Sequence, residues 1–295
     1  MSSLKDQVII ITGAGRGLGR AYAHDLARRG AKIVVNTRPR PPEAEGSAES
    51  EVEEIKALGG QAAAGPLAVE EADSGERLLQ AALDAFGRVD GLLNNAGAPE
   101  AKTLHKQTTD EFRENFEVNF FGSLTPTLPI YRHLREQGSG RILMSTSAAG
   151  LHGVHGMAAY SASKAALIGL MRVIALEGAS RGVHCNAIAP YAATGMTGKY
   201  LDPATAAQMQ PEQVAPTVSW LMSPDCALNG QVLVAGAGVV RPAIRVEGRG
   251  LSFGLDYSPE DLCAQQDQLM DLADLQTFAD GQIAFEQLMT TRAQN

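Results

Sequence analysis

In the segment YSASK, a phenol and an ammonium stand four residues apart, Tyr160 and Lys164. On a helix that spacing points both side chains to one side. A tyrosine ordinarily titrates near ~10. A nearby cation favours the phenolate and lowers that value. A phenol brought closer to neutrality can give a proton to a carbonyl being reduced, or take one from an alcohol being oxidised. Near the amino end, TGAGRGLG carries Gly13, Gly15, Gly17 and Gly19 directly after the apolar run VIII. Glycines there permit a tight turn and let backbone approach a pyrophosphate. A helix starting at such a turn adds free N–H groups and partial positive charge. Where a dinucleotide-binding unit places an Asp or Glu to hold a ribose 2′-hydroxyl, VVNTRPRP offers Asn36, Thr37, Arg38 and Arg40, with no carboxylate before Glu43. A hydroxyl and a guanidinium suit a 2′-phosphate instead. Each residue also has an ordinary reading. Tyr160 is then a half-buried tyrosine, Lys164 a solvated helix lysine, Arg16, Arg38 and Arg40 surface charges, and the glycines a turn without a ligand.

The elements that must position these groups alternate along the chain. Short apolar runs, among them VIII, KIVV, VDGLLNNAG, RILMSTS, VHCNAIAP and QVLVAG, are each followed by a helical stretch. Continuous apolar strands joined through helices imply an α/β fold: a single Rossmann-type, doubly wound parallel sheet with helices on both faces. Helices are expected at Gly17–Arg29, around Glu76–Phe86, across Asp110–Gln137, at Ala158–Ser180 and near Pro211–Met222. PRPPEAEGSAES reads as a surface loop or mobile insertion. From about Glu247 the pattern changes. In YSPEDL, Ser258 can cap a helix, Pro259 suits its first turn and Asp261 can complete a capping box. The expected organisation is a catalytic domain over residues 1–246 and a C-terminal helical extension over residues 247–295, acting as a packing tail, a lid or a dimer arm.

Composition narrows the class. The chain has 295 residues, is 44% hydrophobic and carries a net charge of −8. An acidic chain is a poor match for a phosphate backbone or an anionic membrane surface. The three cysteines, Cys185, Cys226 and Cys263, lie far apart. That usage suggests neither a disulfide framework nor a zinc site, and a cytoplasmic location is the expectation. No run reaches the ~18 apolar residues of a membrane span. His152 and His155 have HxxH spacing on a loop but no acidic or cysteine partner nearby, so no metal is expected.

With these motifs in this order, the chain resembles the short-chain dehydrogenase/reductase family over about residues 5–245. TGAGRGLG matches the family's TGxxxGxG cofactor turn, NNAG (Asn94–Gly97) the segment after the fourth strand, and VNFFG carries Asn119. Ser147 lies thirteen residues before Tyr160, and NAIAP (Asn186–Pro190) matches the segment after the sixth strand. The resemblance implies catalysis by Asn119, Ser147, Tyr160 and Lys164. Ser147 would hydrogen-bond the substrate oxygen, Lys164 would also grip the nicotinamide ribose, and Asn119 would hold a water linking Lys164 to solvent. It implies cofactor binding by Gly13, Arg16, Gly17, Leu18, Gly19, Thr37, Arg38, Asn95, Ala96, Gly97, Tyr160, Lys164, Pro190 and Thr194, the last placed to meet the carboxamide. The family's NAD-selecting Asp is replaced by Thr37, followed by Arg38, and Arg16 precedes Gly17, where NADP-preferring members often carry a base. NADP(H) is therefore expected in preference to NAD(H). An Asp common after the third strand is Ala68 here, so backbone contacts to adenine are expected.

Longer segments resemble a narrower group. These are GRAYAHDLARRGAKIVVN, IALEGASRGVHCNAIAP, the GMT that follows, PEQVAPTVSWL and NGQVLVAGAGVVRP. They look like the hydroxyacyl-CoA dehydrogenase unit of peroxisomal multifunctional enzymes and its bacterial single-domain relatives. Tyr191 stands where the wider family commonly has Gly, as that group also departs. The group's NAD-selecting acid is missing, so the substrate stays open: a 3-hydroxyacyl-CoA-like molecule, a steroid or an aromatic ketone. The expectation is an enzyme interconverting a secondary alcohol and a ketone on a small-molecule substrate, without nucleic acid or membrane, as a homodimer or homotetramer. The alternatives are a non-catalytic nucleotide sensor and an epimerase or dehydratase on the same fold.

Overall fold

Alternation within each apolar run decides which layer each side chain joins. In β1 (Val8–Ile11), Ile9 and Ile11 enter one core cluster while Val8 and Ile10 enter another. Successive strand residues point to opposite faces, so a run that is apolar throughout belongs in a sheet covered on both sides. The structure, a computed structural model, describes residues 4–194 and 202–293. The GMT segment at residues 195–197 lies outside the described residues.

The remaining strands are β2 (Lys32–Val35), β3 (Gln61–Ala64), β4 (Gly91–Asn94), β5 (Gly140–Ser145), β6 (Val183–Pro190), β7 (Val232–Gly236) and β8 (Val239–Pro242). The sheet order is β3-β2-β1-β4-β5-β6-β7-β8. Neighbours run parallel through β7, and β8 pairs antiparallel with β7. That last hairpin is not legible from QVLVAG alone. The order reverses between β1 and β4, which opens a crevice at the carboxyl ends of those strands.

Helices α1 (Gly17–Arg28) and α2 (Ala48–Ala57) cover one face. On the other lie α3 (Ser74–Phe86), α5 (Gly122–Gln137) and α7 (Ala158–Ala179), with α4 (Thr109–Phe116) before α5 and α6 (Ala148–His152) before α7. The short α8 (Pro203–Ala207) follows, then α9 (Ala215–Leu221) on the α1 face. The expected single helix over Asp110–Gln137 is interrupted. Residues Glu117–Phe121 form a π-helical turn between α4 and α5. Such turns often occur at functional positions, and this one carries Asn119. By length and composition α7 could cross a bilayer, but it packs on β5 and β6 and buries Ser163 and Lys164.

The chain divides into two units, Met1–Ala243 and Ile244–Asn295. Both core clusters lie in the first. The second contains α10 (Pro259–Ala264), α11 (Gln266–Leu269) and α12 (Gly281–Ala293), with an isolated antiparallel bridge between Glu247 and Gln276. Ser258 caps α10, and Asp261 completes the capping box as its sequence predicts.

Candidate active site

The glycine turn folds tightly because other residues clamp it. Thr12 Oγ1 accepts the N–H groups of Asn95 (3.0 Å) and Ala96 (3.1 Å). Asn95 Nδ2 donates in return to the carbonyls of Thr12 and Gly13, both at 3.1 Å. The end of β4 is thereby fixed against the turn after β1. A Cβ on Gly15 would lie 2.2 Å from the Gly46 carbonyl and 2.7 Å from Thr37 Cγ2. The turn tolerates no side chain there because the segment before α2 packs on it. The expected mobile insertion is therefore anchored at its end: Gly46, Ser47 and Ala48 are buried, and Ser47 caps α2 through the Ser50 N–H.

The walls enclose a cleft of about 580 Å³, within the ~300–1,000 Å³ usual for small-molecule sites. Every expected cofactor residue lines it: Gly13, Arg16, Gly17, Leu18, Gly19, Thr37, Arg38, Asn95, Ala96, Gly97, Tyr160, Lys164, Pro190 and Thr194. Its wall also holds Gly15 and Asn36 from the two motifs above, together with Gly46, Leu67, Val69, Ala98, Pro99, Val118, Ser145 and Thr146, which the sequence did not single out. Arg40, expected to be a plain surface charge, is on the wall as well. Ala68 is not, but its buried neighbours Leu67 and Val69 are.

A dinucleotide fits this donor set. The first turn of α1 has no side-chain cap at Arg16, so its backbone N–H groups are available to an anion. Thr37, Arg38 and Arg40 stand on the same wall without an Asp or Glu among them. The residues present suit a phosphate-bearing ligand on both counts.

Tyr160 and Lys164 mark another part of the wall. Ser147 lies beside the Tyr160 phenol, and its Oγ accepts the Ala149 N–H at 3.1 Å and so caps α6. Lys164 Nζ donates to the Ser145 carbonyl at 2.8 Å and lies 5.7 Å from the centre of the Tyr160 ring. Thr146 Oγ1 donates to the Lys164 carbonyl at 2.7 Å, tying the end of β5 to α7. Burial pulls the Lys164 ammonium down to about 8. The same cause raises the Tyr160 phenol above its ordinary value, and the Ser147 hydroxyl opposes it. The expected net lowering of this phenol is thus reversed in the protein alone. The ammonium is directed at a carbonyl, and desolvation dominates.

Asn119 does not line the cleft. Its Oδ1 accepts the Ala98 N–H at 3.1 Å. Its Nδ2 donates to the Ala98 carbonyl and to both oxygens of Asn115, each at 3.0 Å. A Cβ on Gly97 would meet Asn119 Oδ1 at 2.7 Å and Lys164 Nζ at 3.2 Å. Asn119 therefore holds the loop after β4 beside Lys164 by direct bonds. Asn115 extends the tether, since its Oδ1 also accepts Ser163 Oγ at 3.1 Å. Nothing in the sequence around Asn115 marks it out. Among the described residues, the His/Cys/acid grouping compact enough to hold a metal is His24, Glu51 and Glu54 rather than His152 and His155. Arg20 already pairs with both of its glutamates.

A doubly wound sheet has a clamped glycine turn at its switch point, and a tyrosine and a buried lysine share its cleft, the arrangement of a Rossmann-type α/β protein. The short chain dehydrogenase profile matches residues 7–204, and the chain belongs to the short-chain dehydrogenase/reductase family. It is 40% identical to peroxisomal multifunctional enzyme A of Dictyostelium discoideum over 264 residues, which are 88% of this chain and 59% of that enzyme. It is 38% identical to a 3-oxoacyl-[acyl-carrier-protein] reductase of Synechocystis over 250 residues, 81% of this chain and 99% of that protein. The crystal structure of a short chain dehydrogenase from Mycobacterium avium superposes with a TM-score of 0.82 at 33% identity, covering 91% of this chain and 95% of that one.

Proposed function

We propose that the protein is an NADP(H)-preferring oxidoreductase that interconverts a secondary alcohol and a ketone on a hydroxyacyl- or oxoacyl-type substrate. The reading rests on one observation above all: Tyr160, with Ser147 beside its phenol, lines the same cleft as the glycine turn. When bound, the nicotinamide cofactor supplies or accepts the hydride. During reduction the Tyr160 hydroxyl gives its proton to the substrate oxygen, and during oxidation it takes that proton back. Ser147 donates a hydrogen bond to the same oxygen and stabilises the charge that develops there. Lys164, held by the Ser145 carbonyl, places a positive charge beside the Tyr160 ring that favours the phenolate as the proton leaves. Arg16 and Arg38, with Thr37, are the groups we assign to a 2′-phosphate.

The acyl substrate class is favoured by the Synechocystis relative, a 3-oxoacyl-[acyl-carrier-protein] reductase, and by the likeness to a multifunctional peroxisomal enzyme. The test is turnover at ~340 nm with a panel of 3-oxoacyl thioesters, steroids and aromatic ketones. Tyr160→Phe is expected to lower kcat by about 10²–10⁴-fold while cofactor Kd stays within twofold of wild type. Turnover that survives in this variant would sink the assignment of the proton-transfer group. A wild-type protein that binds cofactor but turns over none of the panel would favour a nucleotide sensor.

A further inference from the structure

The arginine assigned to the 2′-phosphate already has an anionic partner. Arg38 Nη2 donates to Glu70 Oε1 at 2.6 Å. Backbone geometry brings the two together. Beyond the strand ends, the chains after β2 and β3 stay paired, through Gly65 N–H to the Val35 carbonyl (2.9 Å) and Leu67 N–H to the Thr37 carbonyl (3.0 Å). Buried Asn36 locks this extension by donating from Nδ2 to the Gly65 (2.9 Å) and Leu67 (3.0 Å) carbonyls. The next residues turn at Ala68–Glu71, where the Glu71 N–H meets the Ala68 carbonyl at 3.1 Å. Glu71 is engaged elsewhere, with the Ala68 N–H and with Arg77. Glu70 is thus the carboxylate left facing Arg38. Its second oxygen, Oε2, is buried and has no partner among the described residues.

We infer that Glu70 sets cofactor preference by acting through Arg38, as an internal anion that competes with the 2′-phosphate for one guanidinium. The inference rests on the phosphate site proposed above. A cofactor carrying the phosphate must share or displace the Glu70 contact and meets its negative charge. A cofactor with a 2′-hydroxyl meets no such rival. Arg16, which also lines the cleft, has no side-chain partner among the described residues and contributes without this competition. Glu70 therefore narrows the gap between the two cofactors while Arg16 and Arg38 keep it in favour of NADP(H). The effect is modest because the pair is partly solvated, with side-chain exposures of 58% for Arg38 and 28% for Glu70.

The experiment is a double-mutant cycle on the full chain, using wild type, Glu70→Gln, Arg38→Gln and the double variant. Dissociation constants are measured for NADPH, NADH, 2′,5′-ADP and 5′-AMP by titration calorimetry. Glu70→Gln is expected to tighten NADPH and 2′,5′-ADP by about threefold, the scale of an exposed ion pair, and to leave NADH and 5′-AMP unchanged. In the Arg38→Gln background the same change is expected to do nothing. Weaker NADPH binding in Glu70→Gln would overturn the inference, because Glu70 would then be a prop for Arg38. Equal shifts for phosphorylated and unphosphorylated ligands would overturn it too. If Arg38→Gln leaves the NADPH/NADH ratio untouched, the phosphate site itself is wrong and both readings fall.

Discussion

Lys164 carries an energetic cost for its buried position. Its ammonium is buried beside the Tyr160 ring and is pulled down to about 8, against an ordinary 10.5. Between those two pH values the unfolded chain holds a proton that the folded chain has released. Folding therefore becomes more favourable as pH rises through this window, and the penalty is present in full below it. We predict that the stability of wild type relative to Lys164→Met rises between pH 8 and 10.5 and is flat below pH 7. Denaturant titrations across that range check it. A relative stability that falls over the same range would mean that the ammonium is not desolvated. The Met variant should also lose turnover, since its side chain places no charge beside the phenol.

At the scale of elements, the site is a set of strand ends joined by side-chain clamps. Thr12 and Asn95 fix the turn after β1 to the end of β4. Asn119, in its π-helical turn, fixes the loop after β4. Asn36 fixes the segment after β3 to the end of β2. Substituting one of these amides leaves buried carbonyls without donors, which costs ~1–3 kcal/mol. Asn36→Ala is predicted to lose about 2 kcal/mol of stability and to weaken binding of NADPH more than of NADH, as Arg38 and Glu70 sit on the two segments it joins. Urea unfolding and cofactor titration test both halves. A variant as stable as wild type would show that Asn36 is not a clamp.

Across the whole molecule, the two units differ in kind. All buried apolar residues of the two core clusters fall in Met1–Ala243. Within Ile244–Asn295 no described residue is buried, and Leu255, Met270, Leu272 and Leu288 are more than 60% exposed. A segment that buries so little apolar surface does not offset its own conformational entropy. A chain ending at Ala243 is predicted to keep a single cooperative thermal transition, whereas the isolated 244–295 peptide should show none by circular dichroism. The opposite result would move the boundary of the core domain. The first unit also leaves Phe121, Leu128, Val173 and Leu176 exposed on the π turn, α5 and α7. We propose that this surface joins copies of the chain into a dimer or tetramer. Light scattering on Val173→Glu/Leu176→Glu should show a smaller species than wild type, and an unchanged mass would reject that interface.

What the sequence determined by itself was mostly local. Period-two burial in apolar runs, glycines at the turn after β1, and Tyr160 and Lys164 one helical turn apart are properties of neighbouring residues. They were enough for the fold class and for a glycine turn, Tyr160 and Lys164 that line one cleft, whereas Ser147 came from the family resemblance. Tertiary structure decided what depends on residues distant in the chain. Glu70 meets Arg38 across 32 positions, and Asn115 reaches Ser163 across 48. Neither pair has a spacing that marks it. The same holds for the direction of the Tyr160 titration. A helix spacing reveals that a lysine is near, but only the packed protein sets where its ammonium points and how much water is removed from the phenol.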